Sequence, residues 1–439
     1  MVIDTLRADH LGCYGYPRAT SPALDALAAR GVRFARAHAP SSWTLPSVVS
    51  IMTGLDPAAH GVERNTSVLA EGRPTMAEAF RAAGYETMAL SAHPALVTPL
   101  QGLARGFDRF TVLHGPVANR RARANIVPAD PWLQSSVTVA PAGEMSETAL
   151  AWLSEPERTG APFMLYVHYF DPHAPYFPPP EYARRFGVVP DAPLTGAEQW
   201  PLLLAPQAPE SADDLATLTA LYDAEIASTD AAIARLLDGL RARAGRPTLV
   251  LVTSDHGEEF GEHGELQHGR ALWQELLHVP LIVAGPGILR GRVVDEPVSL
   301  VSLWATLADL AGLADPATSA APSFANLMRG EPDPAPRRIF ADLEPRFARD
   351  RHVHRRAIID GAWKLTVAPD RRVSLFNLDS DPAERDDLQR SEQSRAGFLR
   401  MLLRVRDVAA QQASAEAPPT TISFTPEMRA LLRALGYLK

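Results

Sequence analysis

Short apolar runs alternate with helical patterns along the first three hundred residues. Five runs read as strands: Met1 to Asp4, Thr87 to Ser91, Phe163 to His168, Thr248 to Ser254 and Pro280 to Ala284. Between them, apolar residues recur at helical spacing over Ser21 to Arg30, Pro46 to Thr53, Thr75 to Ala83, Glu144 to Leu153, Ala212 to Ala244 and Ser299 to Ala311. Strand then helix, repeated, predicts an α/β fold in which a mostly parallel sheet is sandwiched by helices. Sites in such sheets form at the carboxyl ends of the strands. Asp4, the segment His168 to His173 and the pair Asp255-His256 all fall at such ends.

After about Leu313 the pattern changes. Pro322 to Pro336 reads as a linker. Short alternating segments follow at Arg337 to Leu343, His354 to Ile359, Trp363 to Val367 and Val373 to Asn377, then a helix near Ser391 to Gln411. The expected organisation is a large α/β domain over 1–320 and a smaller α+β subdomain over 337–439, built from an antiparallel sheet and a helix. Residues 114–142, with Arg120, Arg121 and Arg123, and the proline-rich stretch 174–211 read as long loops. Loops of that length shape substrate pockets in many folds, and the arginines read as a solvated charge run.

Composition narrows the function classes. A chain of 439 residues with net charge −8 carries no electrostatic footprint for nucleic acid. Lysine occurs only at Lys364 and Lys439, so none serves a site built from the first three hundred residues. The single cysteine, Cys13, excludes an intrachain disulfide. No apolar run of about 18 residues predicts a membrane span, and no signal peptide precedes the first motif. As written, the chain reads as cytoplasmic. However, Met1 runs straight into Asp4, and a central strand usually has about five or six residues. The expected start is therefore upstream, where a targeting segment or anchor would also lie.

Four constellations carry candidate chemistry. Asp255-His256 ends the apolar strand Thr248 to Ser254 and precedes Gly257; a carboxylate and an imidazole there can face one metal ion. Asp4 ends the first strand, where a buried charge is costly unless paired or ligated, although a helix N-cap is an equal reading of Asp4 alone. Ser42-Trp43-Thr44-Leu45-Pro46-Ser47 precedes an apolar helical run ending at Gly54, which places Thr44 at a helix N-terminus that favours anions. Its hydroxyl is either a plain N-cap or a metal-activated nucleophile. Finally, His168 to Tyr176, together with His268, supplies imidazoles able to donate to an ester's oxygens or protonate its leaving group.

Taken together, these segments resemble the sulfatase family of the alkaline phosphatase superfamily. The resemblance rests on Asp4 to Gly15, Ser21 to Phe34, Thr53-Gly54-Leu55 with His60-Gly61-Val62, Ala83 to Thr87, Phe170 to Tyr176, Ser254 to Gly257, Val279 to Ile282 and Leu375 to Glu384. It implies an alkaline-phosphatase-like core and a C-terminal subdomain with a four-stranded antiparallel sheet. The chain also departs from the family. Where sulfatases carry a cysteine or serine that is oxidised to formylglycine, within Cys-x-Pro-Ser-Arg, this chain reads Thr44-Leu45-Pro46-Ser47-Val48, and threonine cannot form formylglycine. Thr5 replaces a second aspartate, and the active-site lysines are absent, with His268 at one position and Ala92-His93 near the other.

The remaining set, Asp4, Thr44, Asp255 and His256, looks like the single-metal site of relatives that use threonine as nucleophile. One imidazole and few oxygens lean toward zinc or manganese over calcium or magnesium. The family also admits a second metal held by Asp171, His173 and another histidine. The expected activity is metal-dependent hydrolysis of sulfate or phosphate esters of small-molecule, glycan or lipid type. In that reading Thr44 is the nucleophile and His173 and His268 stabilise charge or protonate the leaving group. A phosphoryl-substituent transferase and a non-catalytic binding protein remain the alternatives.

Overall fold

The apolar run that opens the chain becomes the central strand of an eight-stranded sheet. The computed structural model describes residues 1–114, 139–155, 160–189, 193–196, 198–203, 205, 207–242, 247–314, 321–333, 336–344, 356–426, 429 and 432. Its main strands are β1 (Val2–Ile3), β2 (Val32–Phe34), β3 (Glu86–Ser91), β4 (Arg109–Val112), β5 (Phe163–Tyr169), β6 (Val250–Thr253), β7 (Leu281–Ala284) and β8 (Arg292–Val294). Their order across the sheet is β8-β2-β7-β6-β1-β5-β3-β4. β1 runs parallel to both β5 and β6, β3 runs parallel to β5 and β4, and β8 runs parallel to β2.

The exception is β7, which is antiparallel to β6 and β2. The strand–helix alternation implied a parallel return at Pro280 to Ala284. A parallel return needs a long crossover. Residues 254–280, between β6 and β7, are long enough for one. They hold only two-residue strands and the four-residue helix Gln274–Leu277, with no longer helix to carry a crossover over the sheet, and β7 returns antiparallel to β6. The sequence pattern also did not reveal β2, β4 and β8. Each has only three or four residues and includes an arginine or sits at the sheet's rim.

Helices cover the sheet in two groups. α1 (Pro22–Ala29), α4 (Ala142–Leu153) and α5 (Ala212–Ala242) pack together, while α2 (Thr44–Thr53), α3 (Met76–Ala82) and α6 (Leu303–Leu310) form the second group. α3 starts with a capping box: Thr75 accepts from the Glu78 N–H, and Glu78 reaches back to the Thr75 N–H. α2 is different in kind, because all ten of its residues are buried. Leu45, Val48, Val49, Ile51 and Met52 pack in the core, and even Thr44, Ser47, Ser50 and Thr53, at three-residue spacing, face the interior, so it has no exposed face. It ends at Gly54, in the left-handed region that glycine adopts freely.

The C-terminal strands β9 (Arg338–Asp342), β10 (Arg356–Asp360), β11 (Trp363–Val367) and β12 (Val373–Asn377) form an antiparallel sheet in chain order. α7 (Gln393–Glu416) covers one face, where Ile358, Leu365 and Leu375 meet Leu399 and Leu403. The segment read as a linker is not one. It contains the helix Ala325–Arg329, and Phe324, Leu327 and Met328 are buried in the main core. Prolines mark its turns, but its apolar residues anchor it. The predicted loop arginines Arg120, Arg121 and Arg123, parts of 174–211 and His354 lie outside the described residues. Among the described residues, no helix is long and apolar enough to cross a membrane.

Candidate functional site

The parallel order β6-β1-β5 brings three strand ends together. Asp4 follows β1, and its N–H donates to Tyr169 O at the end of β5 (3.0 Å). The next residue, Thr5, takes a left-handed φ of 55° and donates its N–H to Asp255 Oδ1 (3.4 Å). No helix starts at Asp4, so the N-cap reading does not hold; the first helical turn is Ala8–His10. Ser254 Oγ accepts from the Leu6 N–H (2.9 Å) and donates to His256 O (2.6 Å), joining the β1 and β6 ends. At Gly257 a Cβ would lie 1.9 Å from Glu275 O, so only glycine permits this turn.

Thr44 is the first residue of α2. The N-cap is Trp43, without a side-chain capping bond, so the threonine hydroxyl is not used as a cap. It lies instead 3.3 Å from His256 Nε2. Ser47, one turn on, donates to Asp255 O (2.6 Å) and ties the helix to the β6 end. His256 Nε2 is 3.6 Å from Asp4 Oδ1 and 3.5 Å from Asp255 Oδ2. His256 Nδ1 donates to Gly257 O (2.9 Å), which leaves the Nε2 lone pair directed at the carboxylates. The four sequence-predicted metal-site residues therefore converge, and all are fully buried.

Burial without pairing is the telling feature. Asp4 Oδ1 and Asp255 Oδ2 are buried and make no hydrogen bond. Burial foremost, then the charges of Asp255 and Glu258, push the Asp4 carboxyl well above its usual range. Two such carboxylates are costly unless a cation joins them. Ligands bound at about 2.0–2.1 Å to one tetrahedral ion lie roughly 3.3–3.5 Å apart. The separations of 3.3, 3.5 and 3.6 Å around His256 Nε2 fit that spacing. The residues thus suit a small divalent metal.

Further imidazoles line the same place. The His268 ring is centred 4.4 Å from the His256 ring and 4.9 Å from the His173 ring. His268 Nδ1 pairs with Glu258 Oε1 at 2.8 Å, and the Tyr176 hydroxyl donates to Glu258 Oε2 at 3.1 Å. Burial above all moves the Glu258 carboxyl up to about 8. His173 Nδ1 donates to Ala174 O (2.6 Å). Both sequence-predicted imidazoles therefore reach the site. The Asp171 carboxylate accepts the Ala142 N–H at the start of α4 (3.3 Å).

Three further residues meet here: His168, which the sequence offered only as one of several imidazoles near an ester, His93, placed only near a missing lysine of the family, and Glu258, which had no reading. His168, on β5, places Nε2 3.4 Å from Asp4 Oδ2. His93, after β3, lies 6.2 Å from the His168 ring and 6.4 Å from the His173 ring, centre to centre. Burial first, then the neighbouring imidazoles, hold its basicity well below the usual histidine range. Glu258 is the third. The available signal was the strand alternation that puts Tyr166 and His168 on one face, and the acidic run after Asp255-His256.

Two other features stand apart. Glu259, His263 and Glu275 each offer a ligand atom within 4.8 Å of the other two. There His263 stacks on Trp273 at 3.8 Å and pairs with Glu275 at 2.7 Å. An apolar cavity of about 540 Å³ lies at the amino ends of β5 and β6, lined by Phe163, Leu165 and Leu251 among others. Among the described residues its lining has no acidic, basic or imidazole side chain, unlike the site above.

Comparison with known proteins agrees with this architecture. The Sulfatase family model matches residues 1–313. An uncharacterized sulfatase of Escherichia coli, YidJ, is 28% identical over 337 residues, covering 72% of this chain and 68% of its own. Human iduronate 2-sulfatase is 27% identical over 390 residues, covering 74% and 70%. The choline-sulfatase of Rhizobium meliloti is 28% identical over 425 residues, covering 84% and 77%. Among solved structures, the phosphonate monoester hydrolase of Agrobacterium radiobacter superposes with a TM-score of 0.72 at 22% identity, covering 96% of this chain and 99% of its own. That likeness is one of fold.

Proposed function

The chain belongs to the sulfatase family, and on that premise we propose that it is a metal-dependent ester hydrolase with Thr44 as its nucleophile. The observation that carries the reading is the meeting of Thr44 Oγ1 with His256 Nε2 at 3.3 Å, beside two buried carboxylate oxygens that make no hydrogen bond. Asp4, Asp255 and His256 would hold a divalent metal, with the Thr44 hydroxyl beside it. When bound, that ion supplies Lewis-acid stabilisation and lowers the hydroxyl's pKa.

The chain's own residues then do the rest. Thr44 Oγ1, its proton released to water, attacks the sulfur or phosphorus as the bond to the leaving alcohol breaks in line. The first turn of α2 offers backbone N–H groups that have no helical acceptor and suit the non-bridging oxygens. His268 and His173 stand where they can hold developing charge, and one of them protonates the departing alkoxide. Water then releases the group from Thr44.

Threonine shapes the substrate class. It lacks the second hydroxyl through which hydrated formylglycine expels sulfate, so a phosphorus ester suits it better than a sulfate ester. The overall likeness to a phosphonate monoester hydrolase is compatible with that preference. Named relatives act on uronate and choline sulfates, so the substrate proposed is a small or glycan-type ester.

The test is turnover of nitrophenyl sulfate, nitrophenyl phosphate, bis-nitrophenyl phosphate and nitrophenyl phenylphosphonate by metal-loaded wild type and Thr44→Ala. Activity that disappears with the hydroxyl and with chelator supports the reading. Equal rates for the two proteins on every substrate would overturn it.

A further inference from the structure

The proposed ion draws on ligands from β1, β6 and α2. A further group reaches it from β5. His168 is fully buried, and its Nε2 lies 3.4 Å from Asp4 Oδ2, the carboxylate oxygen not shared with His256. Asp4, His168 and Asp255 each place a ligand atom within 4.8 Å of the other two. Its backbone is fixed on both sides, since His168 is in register with Val2 of β1 and with Ser91 of β3. Its other ring nitrogen, Nδ1, is held by the Tyr166 hydroxyl at 3.0 Å, two residues earlier on the same face of the strand.

We propose that His168 is a ligand of the same ion, which gives a centre of two carboxylates and two imidazoles with the Thr44 hydroxyl on its open side. The inference rests on the metal-dependent reading above and adds the residue that sets which metal is held. Three points argue for ligation over a simple hydrogen bond to Asp4. A charge-assisted N–H···O bond is about 2.7–2.9 Å long, shorter than the observed 3.4 Å. Two ligand atoms on one zinc-sized ion stand roughly 3.3–3.5 Å apart. A metal-bound histidine almost always donates its other N–H to an oxygen, and the Tyr166 hydroxyl provides that oxygen.

The consequence is selectivity. A shell of carboxylates and water oxygens suits calcium or magnesium, whereas two imidazoles suit zinc, cobalt or manganese. In this chain the transition-metal preference comes from β5 as much as from the Asp255-His256 pair.

The test needs no enzymatic turnover. Metal-free wild type, His168→Ala, His168→Gln and Tyr166→Phe are titrated with Co²⁺, Zn²⁺ and Ca²⁺. Absorption is followed for cobalt, calorimetry for all three, and far-UV circular dichroism confirms folding. Wild type is expected to bind one transition-metal ion per chain. The two His168 variants should bind Co²⁺ and Zn²⁺ about 10–100-fold more weakly, with an altered cobalt spectrum and little change in calcium affinity. Tyr166→Phe should lie between them and wild type. Variants with wild-type affinity and spectrum overturn the role of His168 and leave the family reading intact. A wild type that binds no ion removes the metal-dependent reading and this inference together. If the His168 variants do not fold, pulsed electron paramagnetic resonance of wild type with one equivalent of Cu²⁺ decides: two coordinated imidazoles support the inference, and one overturns it.

Discussion

Thr44 Oγ1 and His256 Nε2 stand 3.3 Å apart, although 212 residues separate them in the chain. The contact is held from both sides. α2 is buried along its whole length, and the β6 end is tied to it through Ser47 Oγ and Asp255 O at 2.6 Å. A hydroxyl fixed this way does not need to be ordered during reaction. Thr44→Ala is therefore expected to lower turnover of an activated nitrophenyl ester by on the order of 10³-fold or more, with its melting temperature near that of wild type. Thr44→Ser should keep a measurable fraction. Steady-state rates beside thermal scans check both.

Asp4 and Asp255 oppose the fold when no cation is bound. Each has a buried oxygen that makes no hydrogen bond, and their charges face one another. Removing one charge relieves that repulsion but also removes a ligand. Asp4→Asn should match or exceed wild type in thermal stability in chelator and fall below it in saturating zinc. Differential scanning fluorimetry in the two buffers measures the crossover. A variant that is less stable in both buffers would show that Asp4 is held by contacts other than an ion.

Glu258 touches neither Thr44 nor Asp4 in any hydrogen bond described, yet it grips His268 Nδ1 at 2.8 Å. It reaches the chemistry through that ring and through its charge on Asp4. Glu258→Gln should reduce kcat by about 10–100-fold, the usual cost of losing an outer partner, while KM changes little. Glu258→Asp should recover part of the loss. A change confined to KM would assign Glu258 to substrate contact instead.

His60 predicts the acid side of the stability curve. It accepts the Val62 N–H at Nδ1 (3.0 Å), and its Nε2 faces Pro46 O (3.2 Å) and Ser50 Oγ (3.1 Å), so it braces the first turns of α2. Burial foremost lowers its pKa from 6.5 to about 3. Between these values the unfolded chain binds a proton that the folded chain refuses. Its contribution is complete above pH 6.5 and is lost as pH falls toward 3. Wild type should lose stability over that window. His60→Gln should start lower at pH 7 and lose less on acidification, as read from urea midpoints.

The junction between α7 and the main core is ionic as well as apolar. Arg406 donates to both oxygens of Asp342, at 2.8 and 2.9 Å, and Asp342 is 1% exposed. Burial alone would raise the Asp342 pKa, but Arg406 and Arg356 outweigh it and hold the carboxyl below its usual value. Breaking a buried pair by removing one partner costs roughly 3–5 kcal/mol. Arg356, 3.2 Å from Asp342, remains and should keep Arg406→Met at the low end of that range. The prediction is checked by equilibrium urea unfolding.

Some elements could be read with little loss. The strands at Trp363 to Val367 and Val373 to Asn377 match residue for residue: Trp363 to Val367 alternates apolar and polar side chains, although Lys364 and Thr366 are buried too. Asp4, Asp255 and His256 were legible because polar residues at the ends of apolar strands are conspicuous. β2, β4 and β8 were not, since three or four residues carry too little pattern. The direction of β7 was not legible either, because an apolar run reads the same whichever way it lies in a sheet.

The amino-acid order by itself determined much of the inventory: the longer strands and helices, the hydroxyl at the head of an apolar helix, the lack of lysine in the first three hundred residues, and the carboxylates available to a cation. Only the assembled sheet decided which imidazole met which carboxylate. His168 and His173 lie five positions apart in one motif, so nothing local separates their roles. Pairing of β5 with β1 turns His168 onto Asp4, while the following loop carries His173 toward His268. That division comes from strand register and chain direction, which depend on partners distant in sequence.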